Sequence, residues 1–196
     1  MQINKFHLIL LFIGILLLPS CENDYYPRPR GYFRIDLPQK NYHHFDTTYP
    51  YTFEYPAYAK LEAKLRQPYW INVVFPDFNG TLHLSYKPVE NNLHTYLEDT
   101  RNMAMKHIAK ASGIENRQFA DDKNKVYGLT YNISGTAAAS PFQFYLTDST
   151  SHFVRGALYF NMVPNNDSLA PVITFLEEDI QHLIETFRWK QVVKTD

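Results

Sequence analysis

The sequence predicts an α+β fold, in which an antiparallel sheet of about six strands packs with two long helices. Two observations lead to this prediction. Short segments of alternating apolar and polar residues recur on both sides of a long helical pattern, and a second helical pattern lies near the end of the chain. Since short turns separate the strand patterns, antiparallel pairing is favoured. We expect residues 32–196 to form one globular domain.

The first half of this domain contains four strand patterns. Three of them alternate between two sets of side chains, and WINVVF is a mainly apolar run; Pro38, Pro56 and Pro76 stand after the first three. Asn79-Gly80 is the dipeptide of a tight hairpin turn, so we expect the strands on either side of it to pair. The four predicted strands are Tyr32–Leu37, Tyr51–Tyr55, Trp70–Phe75 and Thr81–Tyr86.

Residues 91–112 change to a helical period. Asn91 or Asn92 can cap the predicted helix, and Gly113 can end it. The apolar side predicts an amphipathic helix that lies on a sheet. Its predicted stripe comprises Leu93, Tyr96, Leu97, Thr100, Met103, Ala104, His107, Ile108 and Ala111.

The second half returns to strands and ends in another helix. Strands are predicted at 126–133, 142–147 and 151–161, and a helix at 168–187. Ser168 can cap this helix, and Pro171 would lie in its first turn, where a missing N–H is harmless. The predicted buried stripe comprises Val172, Leu176, Ile180, Leu183, Ile184 and Phe187.

The N-terminus predicts a lipoprotein signal peptide at residues 1–20. The apolar run Leu8–Leu18 is too short for a membrane-spanning helix, which needs roughly 20 residues, and suits a signal core of about 7 to 15. Leu18 and Ser20 before Cys21 resemble a bacterial lipobox, so we expect Cys21 to be lipidated. The alternative is a plain secretory signal that leaves Cys21 as a free thiol; it is disfavoured because such a thiol is reactive.

Residues 21–31 are expected to be the lipidated cysteine and an extended tether. The segment ENDYYPRPRG has two prolines and no apolar periodicity, so it would span roughly 30 Å at about 3 Å per residue. Removal of the signal takes away Lys5 and leaves 18 Lys and Arg against 20 Asp and Glu. A nearly neutral chain of this kind does not predict a nucleic-acid partner.

Two motifs that are typical of enzymes are absent from the sequence. There is no G-x-x-x-x-G-K-[ST] phosphate loop and no G-x-S-x-G nucleophile elbow. His182 and Glu185 are three residues apart on the last predicted helix, but two ligands are too few for a metal site. We therefore expect a protein that is not an enzyme and binds no metal. The only attached group that we expect is the covalent lipid on Cys21.

A candidate binding surface lies on two of the predicted strands. Arg155 and Tyr159 share one face of strand 151–161, and His83 and Ser85 share one face of strand 81–86. These four residues would form a polar and aromatic patch that binds a ligand or a peptide. The alternative is that they cover the solvent side of a half-buried antiparallel sheet, which ordinarily alternates in this way. Both interpretations stay open.

Five long stretches carry a further resemblance. They are PRPRGYFRIDLP, FNGTLHLSYKPVENNL, YLEDTRNMAMKHIAKASGI, QFYLTDSTSHFVRGALYF and PNNDSLAPVITFLEEDIQHLIETFRWK. Together they resemble the gliding motility lipoprotein GldD family of the Bacteroidota over essentially the whole mature chain, and Cys21 stands where that family has its lipobox cysteine. The order of elements also resembles the Mog1/PsbP-like sandwich, which is a likeness of fold and not of function.

The GldD resemblance implies a membrane-anchored lipoprotein that acts as a non-enzymatic accessory or assembly component of gliding motility and the associated type IX secretion system. It implies a domain that faces the periplasm, with the membrane and envelope proteins of the machinery as partners. Only Cys21 is carried over as a functional residue, and neither membrane is preferred. Two alternatives stay open: a binding module for a peptide, glycan or small ligand, and a hydrolase built from scattered residues.

Overall fold

The computed structural model describes residues 35–190, which belong to one compact unit. The predicted signal peptide, Cys21 and the tether lie outside the described residues. None of the described helices is long and apolar enough to cross a membrane. The elements in the described part are β1 Tyr42–Phe45, β2 Tyr51–Pro56, β3 Lys60–Ala63, β4 Ile71–Phe75, β5 Gly80–Pro88, α1 Leu93–Met105, β6 Gly113–Asp121, β7 Val126–Ser134, β8 Phe142–Thr147, β9 His152–Phe160, α2 Asn166–Thr186 and β10 Arg188–Trp189.

Seven of these strands form one antiparallel sheet in the order β3-β4-β5-β9-β8-β7-β6. The α+β architecture with antiparallel strands and two helices is therefore confirmed, but the expected number of about six strands is too low. At the centre, β5 and β9 pair from Gly80 opposite Phe160 to Pro88 opposite His152. Strands β1, β2 and β10 form a second, smaller sheet with β2 in the middle.

The main core lies between one face of the large sheet and α2. All six residues of the predicted stripe are buried, and the most exposed of them, Val172, is only 4% exposed. They pack in one cluster with Leu82 and Leu158 of the two central strands. Strand β2 adds Tyr51 and Phe53, and the ring of Tyr51 stacks 5.4 Å from that of Phe187. The helical period of the sequence thus predicts the face of α2 that the core buries.

The start of α2 differs from the prediction. The helix begins at Asn166 instead of Ser168, so Pro171 lies in the second turn. Asn166 Nδ2 donates hydrogen bonds to the carbonyls of Gly135 and Ala138, at 2.9 and 3.0 Å. These bonds to a distant loop favour the earlier start, which a local capping argument does not detect.

The first helix is shorter than predicted. Helix α1 ends at Met105, residues Ile108–Lys110 form a 3-10 turn, and Gly113 begins β6 instead of ending the helix. Only two members of the predicted stripe within α1 are buried, Thr100 and Ala104, whereas Ile108 is 59% exposed. The reason is that α1 packs against β7 through a small cluster. Only a narrow part of the helix surface contacts the sheet, and the rest of the predicted apolar face does not.

One strand prediction and one turn prediction in the first half need correction, and four strands were not predicted. The described part of the predicted strand at 32–37 is irregular, and Ile35 and Leu37 are 37% and 43% exposed. Alternation alone does not make a strand when no neighbour pairs with it. The turn after β4 is wider than a tight hairpin, because Pro76–Phe78 form a 3-10 turn before Asn79, at φ 49°. The strands that the sequence did not predict are β1, β3, β6 and β10.

Candidate functional site

The polar sheet face lies on the side of the large sheet opposite α2. We define it as Asn72 of β4, His83 and Ser85 of β5, Gln143 of β8, and Arg155 and Tyr159 of β9. Along β9, Val154 and Leu158 belong to the main core, so the alternate residues point the other way. The structure brings the four predicted residues onto this one face, with Ser85 directly opposite Arg155. Their role in binding stays a prediction.

Helix α1 covers only one end of the same side of the sheet. The ring of Tyr96 lies 5.4 Å from the ring of Phe153, which is the first residue of β9 on this side. Ala104 packs against Tyr131 and Ile133 of β7. The polar sheet face begins beside this contact, and its four predicted residues are each partly exposed. The short helix therefore leaves part of the sheet open.

Arg155 is the charged group at the centre of this face. Its Nη2 donates a hydrogen bond of 2.6 Å to Oε1 of Gln143, whose side chain is fully buried. Two buried donors of this pair, Arg155 Nε and Gln143 Nε2, have no hydrogen-bond partner. Arg155 also has no ion pair within the described part of the chain. Buried donors are normally paired, and an unpaired charge is costly, so this cluster is short of acceptors.

His83 is held as a neutral imidazole beside Tyr159. Its Nδ1 lies 2.8 Å from Oδ1 of the buried Asn72, and because an amide oxygen only accepts, Nδ1 carries the proton. Burial lowers the pKa of His83, and the charges of Lys64 and Arg155 lower it further. The His83 and Tyr159 rings are 5.8 Å apart. The face therefore offers an acceptor at His83 Nε2 and an aromatic surface beside the arginine.

The charge of Arg155 acts on other titratable groups on this side of the sheet. Burial lowers the pKa of His107, and the charge of Arg155 lowers it further, so Arg155 acts on both histidines. The carboxylate nearest in register is Glu62 of the edge strand β3, opposite Asn72, and it is exposed. This side of the sheet is thus suited to an acceptor or an anion.

Two residues of the polar sheet face, Asn72 and Gln143, were not predicted from the sequence. The alternation of INVVF and FQFYL places each of them on the outer side of its strand, which is a usable signal. Only the cross-strand register shows that Asn72 is opposite His83 and that Gln143 is opposite Ala157, next to Arg155. No group of three or more His, Cys, Asp or Glu that could hold a metal occurs within residues 35–190.

His182 and Glu185 do not act as a pair. His182 Nε2 lies 2.6 Å from Oε2 of Glu54 on β2, and its ring stacks on that of Tyr42 with centroids 3.7 Å apart. Glu185 accepts a hydrogen bond from Gln181 instead. Both residues line a groove of about 910 Å³ beside α2 and the β6–β7 pair.

Glu177 in this groove gives a pH-dependent prediction. Burial raises the pKa of Glu177 to about 7, although Asn132 donates a hydrogen bond to its carboxylate. Because the unfolded chain loses this proton at lower pH than the native state, stability falls as the pH rises from about 4.5 to 7. Glu177→Gln should match the wild type at pH 4 and be more stable at pH 8, by on the order of 1 kcal/mol after solvent screening.

Thermal unfolding at the two pH values measures this difference. Glu178→Gln is the matched control on the same helix, since Glu178 is 63% exposed and pairs with Lys40 at 2.8 Å. The control should be slightly less stable than the wild type at pH 8. Equal stability of Glu177→Gln and the wild type at both pH values would show that Glu177 is ionised in the native state without penalty.

A second groove, of about 700 Å³, is mainly aromatic and was not predicted. It lies where the loop before β4 meets the end of β5. Tyr69 is 40% exposed at a left-handed φ of 64°, and its carbonyl accepts a hydrogen bond of 2.6 Å from Tyr51. The residues that define this aromatic groove include Tyr49, Pro50, Pro68, Tyr69, Trp70, Tyr86 and Pro88.

Similarities to known proteins occur in both the fold and the sequence. The solution structure of cyanobacterial PsbP (CyanoP) from Synechocystis sp. PCC 6803 is similar, with a TM-score of 0.47 and 10% identity over 80% of this chain and 97% of that chain. No curated protein was found to match. The family model for the gliding motility lipoprotein GldD matches residues 22–189. This match defines a lipoprotein that is associated with a membrane of the cell envelope and has a role in gliding motility. The chain belongs to the GldD family.

Proposed function

We propose that this lipoprotein is a non-enzymatic accessory or assembly component of the gliding machinery and of the associated type IX secretion system. The observation that carries the proposal is the family match over residues 22–189, which includes nearly all of the domain. In this proposal the lipid on Cys21 holds the protein to its membrane, the domain faces the periplasm, and the polar sheet face binds an envelope protein of the machinery.

The polar sheet face supports a binding role more than a catalytic one. Catalysis by a hydroxyl needs a base within hydrogen-bond reach, and among the described residues Nε2 of His83 has no hydrogen bond to a hydroxyl. The unpartnered donors of Arg155 and Gln143 instead call for an acceptor from outside the domain. Arginine and tyrosine are also enriched where proteins bind one another.

A second candidate function is a periplasm-facing binding module for a peptide, glycan or small ligand. The aromatic groove favours it, because apolar grooves with a few polar groups are typical ligand sites. The two functions differ in what the protein retains when it is purified from its own membranes. Envelope proteins of the machinery indicate the first function, and a small ligand without protein indicates the second.

Crosslinking and affinity purification of the tagged lipoprotein from its own membranes test the proposal. We expect motility or secretion proteins to co-purify with the wild type, and Cys21→Ser to lose them because the protein leaves the membrane. The double variant Arg155→Ala/Tyr159→Ala should retain the anchor but capture at least fivefold less partner. Circular dichroism checks that each variant is folded.

The matched control is Arg117→Ala, an exposed arginine on the edge strand β6. It should capture as much partner as the wild type, since it lies outside the polar sheet face. Unchanged capture by the Arg155/Tyr159 double variant would contradict the assignment of this face. Capture of no envelope protein by the wild type would contradict the accessory role itself.

A further inference from the structure

We propose that the polar sheet face binds a carboxylate of its partner, and that Arg155 is the group that recognises it. This inference deepens the proposed function, on which it rests, by naming the chemistry of the bound group. Arg155 is partly buried and has no ion-pair partner among residues 35–190, although a buried cation is normally compensated.

The hydrogen bonds of Arg155 show what kind of group is needed. Nη2 donates to Gln143, while Nε has no acceptor. These two nitrogens form one side of the guanidinium plane, and a carboxylate can accept from both at once. Gln143 Nε2 is a third donor without an acceptor, on the residue that Arg155 already contacts. Three donors in one cluster with one acceptor among them favour an oxygen-rich anion.

The described part of the protein does not supply this anion. Ser85 and Tyr145, the residues opposite Arg155 on the neighbouring strands, have no negative charge at neutral pH. Glu62 lies on the edge strand β3, with β4 and β5 between it and β9. Arg155 is partly exposed, whereas its Nε and Gln143 Nε2 are buried. A carboxylate therefore approaches Arg155 from the open part of the face, beyond the contact of α1 with the sheet, and reaches Nε when the arginine side chain turns toward it.

The carboxylate can come from an acidic side chain or from the C-terminus of a protein chain. Four small probes separate these sources and test the class of anion. Acetyl-Glu-amide carries a side-chain carboxylate, and acetyl-Gly carries a terminal one. Acetyl-Gln-amide is the neutral analogue, and inorganic phosphate is a tetrahedral anion. Each probe is titrated into the full lipoprotein in detergent with 15N-labelled arginine, and the Nε–Hε signal of Arg155 is followed.

We expect at least one carboxylate probe to shift the Arg155 signal in a saturable way, and acetyl-Gln-amide to leave it unchanged. The signal is assigned by its loss in Arg155→Lys. Because lysine cannot bind a carboxylate through two parallel hydrogen bonds, Arg155→Lys should bind the same probe at least fivefold more weakly, as measured by calorimetry. Arg117→Lys is the matched control on β6 and should bind as the wild type does.

Gln143→Glu is a second variant with an opposite expectation. It places a carboxylate at the position that already lies 2.6 Å from Arg155 Nη2, so it should occupy the site from within and abolish binding of the probes. The inference is overturned if no probe gives a saturable shift, if the neutral probe binds as well as the charged ones, or if phosphate binds more than tenfold tighter than both carboxylates. Such a result, with partner capture still dependent on Arg155 and Tyr159, would leave the proposed function intact.

Discussion

Asp179→Ala is expected to destabilise the domain by about 3–5 kcal/mol, as breaking one side of a buried charged network usually does. Asp179 lies on α2 and is 1% exposed. Its carboxylate accepts hydrogen bonds from the hydroxyls of Tyr42 and Tyr58, and lies 3.2 Å from Nζ of Lys40. Three residues from two segments that are distant from α2 in sequence thus meet at this one group. In the variant both tyrosines lose their acceptor, and Lys40 loses one of its two carboxylate partners.

The tyrosines act as donors in this network. Burial raises the pKa values of Tyr42 and Tyr58 well above the usual value for tyrosine, and the hydrogen bond that each donates to Asp179 raises them further. Both hydroxyls therefore stay protonated at neutral pH. Asp179→Asn keeps one acceptor but removes the charge that compensates Lys40 and replaces the other acceptor with a donor, so it should recover only a part of the loss.

Denaturant unfolding measures the effect, and Glu178→Ala is the matched control. Glu178 pairs with the same Lys40 at 2.8 Å but is 63% exposed, so its removal should cost less than about 1 kcal/mol. A loss for Asp179→Ala that is no larger than the loss for Glu178→Ala would mean that the buried network does not stabilise the fold.

Gly156→Ala is expected to destabilise the domain by about 3 kcal/mol, at the upper end for overpacking. Gly156 lies in β9 opposite Phe144 of β8, and an added Cβ would lie well inside van der Waals contact of the Phe144 ring. Phe144 is fully buried in the main core, so its ring has little room to move. The glycine therefore allows a large aromatic ring to lie across the centre of the sheet.

A double variant distinguishes this steric cause from a backbone effect. Phe144→Leu alone removes core volume and should also be destabilising. In combination with Gly156→Ala, Phe144→Leu removes the clash. The double variant should therefore lose about 1–2 kcal/mol less stability than the sum of the losses of the two single variants. Additive losses would exclude the clash.

Gly113→Ala is the control, because its Cβ would meet no atom within 4 Å, and it should change stability by less than about 0.5 kcal/mol.

Much of the fold could be predicted because its central elements have strong periodic patterns. The stripe of α2 and the alternation of β5 and β9 follow from burial on one face. By contrast, β6 is largely exposed and carries Glu115 and Arg117, so its sequence lacks the alternation of a half-buried strand. It is a strand because β7 pairs with it along nine residues, which the local sequence does not show.

The candidate site could be predicted only in part, for a related reason. Alternation places Arg155 and Tyr159 on one side of β9, and His83 and Ser85 on one side of β5. That these strands are neighbours depends on pairing between the two halves of the chain. The shortage of acceptors around Arg155 depends further on Gln143, because only the register brings the side chain of this core-flanked residue into contact with the arginine.

The central position of β5 and β9 has a consequence for how the chain folds. The strand pairs β3–β4–β5 and β6–β7–β8–β9 each join neighbours in sequence, and only the β5–β9 pair joins the two sets. This pairing closes a loop of roughly 70 residues, so its entropy cost must be met before its contacts stabilise anything. Until β9 is available, the inner edge of β5 has unpaired backbone groups beside the apolar Leu82 and Leu84. When the chain is synthesised from its N-terminus, β5 therefore forms before its partner β9 exists. At that stage the edge of β5 is prone to aggregation, although it later lies in the middle of the sheet.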